Sequence, residues 1–171
     1  MSFEDKVKVL NGSEESEQTE YVWIKWEKKY ELGIPSLDKQ HYHLLDLCNK
    51  LRRDLKNFSS QEGVDWHVSL AHTLKELAAY TQEHFATEEK LMRACGYKDY
   101  DIHRSQHIRF VEEVTKQLMT FELASLQEAY SLLDFLRDWI LSHVACEDKL
   151  YVRPILEYYK NVRLQQQSAA N

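Results

Sequence analysis

Two observations predict an all-α fold, an antiparallel up-down-up-down four-helix bundle preceded by an N-terminal arm. The 171 residues include only 4 Gly and 2 Pro, against 43% hydrophobic and 29% charged residues. So few turn-formers among so many helix-formers argue for long helices with short connections. Apolar residues also recur at helical spacing through four long stretches, each ended by short turn-prone segments. The length fits one domain with a sizeable core. The net charge of −6 leaves no electrostatic footprint for nucleic acid or an anionic membrane. No apolar run approaches a membrane span.

The elements follow in order. Residues 1–20 are polar and acidic, with Glu4-Asp5-Lys6 and Glu14-Glu15-Ser16-Glu17, and are expected to form a mobile arm. They carry no apolar segment of the kind a secretory signal needs. Residues 21–160 are expected to form the bundle domain and 161–171 a flexible tail. Tyr21-Val22-Trp23-Ile24-Lys25-Trp26 and Leu32-Gly33-Ile34-Pro35 read as an ordered arm lying across the bundle. Ser36 is the expected cap of a first helix, whose stripe runs Leu37, His41, Leu44, Leu45, Cys48, Leu51 and Leu55. A loop over residues 57–63 leads to a second helix from about Asp65 to Arg93, with Gly96 suited to stop it. Asp99 or Asp101 is expected to cap a third helix, with His103, His107, Phe110, Val111, Val114, Leu118 and Phe121 inward. A single fourth helix is expected from near Ser125 to about Tyr159, burying Leu132, Leu133, Leu136, Trp139, Ile140, Val144, Tyr151 and Ile155. Cys48, Cys95 and Cys146 lack CxxC spacing, which argues against a disulfide framework or zinc knuckle and for a reducing cytoplasm.

Chemistry concentrates where ionisable residues fall in phase with leucines. Positions i and i+4 of an α-helix lie about 40° apart on one face. His84 and Glu88 are such a pair, in line with Leu70, Leu74, Leu77 and Leu91; His103 and His107 are another. His41 shares the first helix's inner stripe, whereas His43 points away and is expected to be no ligand. His67 and His72 lie turns away from His84 and suit surface or hydrogen-bonded roles. A lone inward histidine is more often a hydrogen-bonded core residue than a ligand. Two in-phase pairs favour a metal, because unpaired ionisable groups are seldom buried. His143 and Asp148 are five residues apart, about 140° around a helix, and spacing alone does not join them to this set.

The ordered motifs Asp38-x-Gln40-His41, His84-x-x-x-Glu88, His103-x-x-x-His107 and His143-x-x-x-x-Asp148 resemble the hemerythrins, specifically single-domain bacteriohemerythrins. Leu32-Gly33-Ile34, His84-Phe85, Glu88-Glu89-x-Leu91-Met92 and Asp148-x-x-Tyr151 are similar to that family too, over about residues 21–159. The resemblance implies a non-haem di-iron centre. His103, His107 and His143 would bind one iron and His41 and His84 the other. Glu88 and Asp148 would bridge the two ions together with a solvent-derived oxo or hydroxo group. It further implies dioxygen as the ligand at one open iron position, with no protein acid or base required. Phe85, Trp139, Ile140 and Val144 match positions resembling the family's dioxygen-pocket lining. Apolar walls there would exclude water and anions. Cys146 is expected to be a buried thiol, since the ligand set is full.

The function expected on this basis is reversible dioxygen binding for storage, delivery or buffering, in a protein that is not an enzyme. The alternatives are an oxygen or redox sensor or adaptor, and a di-iron oxidase, peroxidase or nitric-oxide-handling enzyme built on the same centre.

Overall fold

The computed structural model describes residues 22–60, 65–120 and 123–169, so the expected acidic arm over 1–20 and the inward Phe121 lie outside the described residues. A 3₁₀ turn at Lys28–Tyr30 precedes helix α1 (Pro35–Ser59). Helices α2 (Trp66–Cys95), α3 (Tyr100–Thr120) and α4 (Leu126–Ser142) follow. A π turn over His143–Glu147 then leads into α5 (Lys149–Ala169). There is no strand among the described residues. The fourth rod of the bundle is therefore α4, the π turn and α5 in succession, not one regular helix. It also continues to Ala169, so most of the tail expected to be flexible is helical.

Local chemistry sets the helix ends. Ile34 occupies the N-cap of α1 and Pro35 the first helical position, where its preset φ and missing N–H do no harm. That places Ser36 inside the helix and overturns its expected capping role. Asp38 instead accepts from the backbone N–H groups of Leu32, at 2.6 Å, and Gly33, at 3.1 Å. Gly33 turns the chain at a φ of 74°, a conformation glycine adopts without a Cβ penalty. Asp65 caps α2 by accepting from the His67 N–H. Gly96 ends it in the left-handed region, while Tyr97 N–H returns to the Met92 carbonyl at 2.9 Å. Ser125 and Glu128 form a capping box at the start of α4.

Helix α1 packs on α2 and α4, and α2 packs also on α3 and α5. The buried apolar residues fall into two clusters. One holds Leu44, Leu51, Leu77, Phe85, Phe110 and Leu136; the other holds Leu37, Met92, Tyr151 and Ile155. Each fully buried leucine-sized side chain contributes about 1.5–3 kcal/mol. His41 falls between Leu37 and Leu44, Glu88 between Phe85 and Met92, and Asp148 between Val144 and Tyr151. The polar residues thus form a layer between two apolar blocks.

The aromatic arm lies against α1. Ile24 donates its N–H to Asn49 Oδ1 at 2.8 Å, and Asn49 Nδ2 donates back to the Ile24 carbonyl at 2.9 Å. Arg52 and Arg137 stand 5.1 and 5.0 Å from the Trp23 ring, tying the arm to α1 and α4.

Candidate metal centre

Four rods bring seven ionisable side chains together: His41 from α1, His84 and Glu88 from α2, His103 and His107 from α3, and His143 and Asp148 from the fourth rod. None is more than 4% exposed. The π turn explains how the last two meet. Its i→i+5 bond, Asp148 N–H to the His143 carbonyl at 3.1 Å, closes a turn over five residues and stacks the pair on one face.

Nε2 of His143 lies 3.0 Å from Nε2 of His107 and 3.1 Å from Nε2 of His103. Each carboxylate spans the layer. Glu88 turns Oε1 to His41, at 3.5 Å, and to His84, at 3.3 Å, and turns Oε2 to His107, at 3.2 Å, and to His103, at 3.9 Å. Asp148 turns Oδ2 to His41, at 3.3 Å, and Oδ1 to His143 and His103, at 3.2 and 3.4 Å. Ligand atoms of Glu88, His103, His107 and His143 lie within 4.8 Å of one another, as do those of His41, His84, Glu88 and Asp148.

The residues fit a pair of cations. Both ring nitrogens of His41, Oε2 of Glu88 and both oxygens of Asp148 are buried without a hydrogen-bond partner among the described residues. Such orphaned groups are costly in a core, and imidazole with carboxylate suits iron. Burial drives the pKa of His84 down to about 4 and that of His143 to about 2, keeping both imidazoles neutral as ligands must be. Burial also opposes charge on His41, but Asp148 and Glu88 outweigh it and push its pKa up to about 9. Asp148 rises to about 7, through burial first and the neighbouring Glu88 second.

Around this layer stands a ring of partners. Tyr151 donates its hydroxyl to Glu88 Oε1 at 2.6 Å. Gln40 Oε1 lies 3.2 Å from His84 Nδ1, while Gln40 Nε2 donates to Thr87 Oγ1 at 3.3 Å. Since the Thr87 hydroxyl donates to the Glu83 carbonyl, the Gln40 amide is oriented with its oxygen toward His84. Glu89 Oε1 lies 3.3 Å from His107 Nδ1. Gln40, Glu89 and Tyr151 stood in the motifs without roles. Their only sequence signal is polarity beside a ligand, or one turn from it.

The four expected pocket residues lie on the same side of the layer. Phe85 stacks on His107, with centroids 3.8 Å apart, and Trp139 stacks on His143 at 4.3 Å. Ile140 and Val144 are buried; Trp139 is only half-buried. It borders an open groove with His143, Gln106 and Glu147. Cys146, expected to be buried, is exposed. The π turn displaces it from the phase that a regular helix would give.

The histidines expected outside the site are outside it. His43 rests on the Tyr80 ring at 4.4 Å, and His67 contacts the Ala124 carbonyl at 2.7 Å. No described helix is long and apolar enough to cross a membrane.

Comparison with known proteins agrees with this geometry. Residues 32–154 match the hemerythrin HHE cation binding domain. A bacteriohemerythrin of Clostridium acetobutylicum is 31% identical over 129 residues, covering 74% of this chain and 97% of that protein. A bacteriohemerythrin of Pseudomonas aeruginosa is 30% identical, covering 74% and 78%. The crystal structure of wild-type hemerythrin superposes with a TM-score of 0.65 at 23% identity, covering 78% of this chain and 98% of the other, a likeness of fold. The chain belongs to the hemerythrin family of di-iron, dioxygen-binding proteins.

Proposed function

We propose that this protein is a reversible dioxygen carrier, serving storage, delivery or buffering, and not an enzyme. His103, His107 and His143 would hold one iron and His41 and His84 the other, with Glu88 and Asp148 shared between the two sets. The observation that carries this assignment is the split of both carboxylates, each with one oxygen toward each histidine set. When bound, the iron pair supplies two electrons and an open coordination position for dioxygen.

The protein's own residues do the rest. Tyr151 pins Glu88 so that its second oxygen faces the other histidine set. Glu88 is held well below the usual carboxylate range: burial opposes its charge, but His84, His103 and the other histidines outweigh burial. Phe85, Ile140, Val144 and Trp139 form the apolar wall that excludes water and anions from the dioxygen side. An apolar wall suits a neutral diatomic ligand and slows loss of charged oxygen species.

Metal analysis of protein from iron-replete cells is expected to give two irons per chain; one zinc or no metal refutes the assignment. Anaerobic reduction followed by air should raise a visible charge-transfer band that disappears on deoxygenation and returns over repeated cycles. A band that decays irreversibly in the first cycle, or efficient turnover of peroxide with a reductant, replaces the carrier with an enzyme.

A further inference from the structure

The outer nitrogens of the histidines are not treated alike. His84 Nδ1 faces the neutral amide of Gln40, and His41 Nδ1 is buried with no hydrogen-bond partner among the described residues. His107 Nδ1 faces a carboxylate, Glu89, whose side chain is only 16% exposed. Glu89 lies on α2 and His107 on α3, so the contact exists only because the two helices pack. Its second oxygen is held from both helices. Arg104 Nε lies 3.4 Å from Glu89 Oε2, the Tyr100 hydroxyl 3.4 Å, and Arg93 Nη1 3.6 Å. Phe85 lies flat on the same imidazole, at an interplanar angle of 4°. His107 is therefore clamped on its face and at its edge.

A carboxylate oxygen that faces a ring nitrogen accepts its hydrogen bond. Its partner nitrogen must carry the proton, which leaves the Nε2 lone pair of His107 directed into the cluster beside Glu88 and His143. A carboxylate behind an imidazole also makes it a stronger donor than an amide does.

We propose that Glu89 is a positioning residue for the three-histidine metal position: it fixes His107 as the Nδ1–H tautomer and strengthens it as a ligand, with Arg93, Arg104 and Tyr100 holding the carboxylate in place. The inference rests on the ligand set proposed above. It gives that set one carboxylate-backed imidazole, whereas the two-histidine set has an amide behind His84 and, among the described residues, no partner behind His41.

The test uses the full-length protein and Glu89→Gln, which keeps the shape and removes the charge. Histidine ¹⁵N spectra of the metal-free protein should show His107 as the Nδ1–H tautomer in the wild type and a shifted population in Glu89→Gln. Anaerobic loading with Fe(II) and competition against a ferrous chelator should show about tenfold to hundredfold weaker retention of one of the two irons in the variant. The Arg93→Gln/Arg104→Gln double variant frees the second oxygen of Glu89. It should shift the tautomer and weaken retention in the same direction as Glu89→Gln but by less; a double variant identical to the wild type in both readouts overturns the role given to the two arginines. Unchanged tautomer and retention in Glu89→Gln overturn the proposal. So does a lowered thermal midpoint alone, which would make Glu89 a tie between α2 and α3. If the wild type binds no iron, the ligand assignment fails, and the nitrogen spectra still decide whether Glu89 sets the tautomer.

Discussion

Replacing Tyr151 by Phe removes one oxygen atom from the centre of the bundle and nothing else. The ring is fully buried, 5.4 Å from the His103 ring and 6.4 Å from that of Tyr97, and those contacts survive. What is lost is the 2.6 Å hydrogen bond to Glu88 Oε1. Because Glu88 is held ionised, the bond is charge-assisted and worth about 1.5–3 kcal/mol. Urea unfolding of the metal-free variant should show a lower midpoint with an unchanged slope. Its thermal midpoint should fall by about 4–8 °C for a loss near 2 kcal/mol. In the iron-loaded protein Glu88 is free to rotate away from one histidine set, so chelator-driven iron loss should quicken by about tenfold or more. An unchanged urea midpoint together with unchanged iron loss would refute the view that this hydroxyl holds the bridging carboxylate.

Three further outcomes are expected. Trp139→Ala removes a half-buried ring stacked on both His143 and Phe110, at a cost of about 2–3 kcal/mol, less than for a fully buried Trp. It should speed autoxidation and tighten azide binding to the diferric protein; if neither moves, Trp139 does not guard the dioxygen side. His41→Ala should lose iron while His43→Ala keeps it, and the opposite result would reverse the inward face of α1. The metal-free protein should be most stable between about pH 6 and 7. Towards acid, His84 and His143 (pKa about 4 and 2) stay unprotonated in the fold while the unfolded chain takes up protons below 6.5, so stability falls. Towards alkali, the unfolded chain has released the His41 proton that the fold retains to about 9, so stability falls again between about pH 7 and 9, while Asp148, protonated in the fold up to about 7, offsets part of the acid-side fall. Chemical denaturation across pH 4–9 that is flat, or that rises above pH 7, contradicts these shifts.

Local periodicity was enough to place most of the bundle and much of its polar layer. Leu37, His41, Leu44, Leu51 and Leu55 share one face because a helix repeats every 3.6 residues wherever it sits, and all are buried. The same arithmetic placed His84 with Glu88 and His103 with His107, and it turned His43 away. The stop expected at Gly96 and the helix starts expected near Asp65 and Ser125 hold for the same reason, since caps act within a few residues of the chain, whereas Ser36 does not cap α1.

Beyond a few residues this logic runs out. His143 and Asp148 are out of phase on any regular helix, and only family resemblance joined them. The π turn that brings them together has poor intrinsic geometry and no strong local signal, so the packing around it must maintain it. Cys146 lies within that turn, and its exposure follows from the same displacement. The contacts of Glu89 with His107, Tyr151 with Glu88 and Gln40 with His84 each cross between two helices. Their distances depend on how far those helices are rotated and slid against one another. Periodicity reports each helix's phase about its own axis and contains no such information. The residue types and the inward faces were set by the sequence; the tertiary structure alone decided which atoms meet.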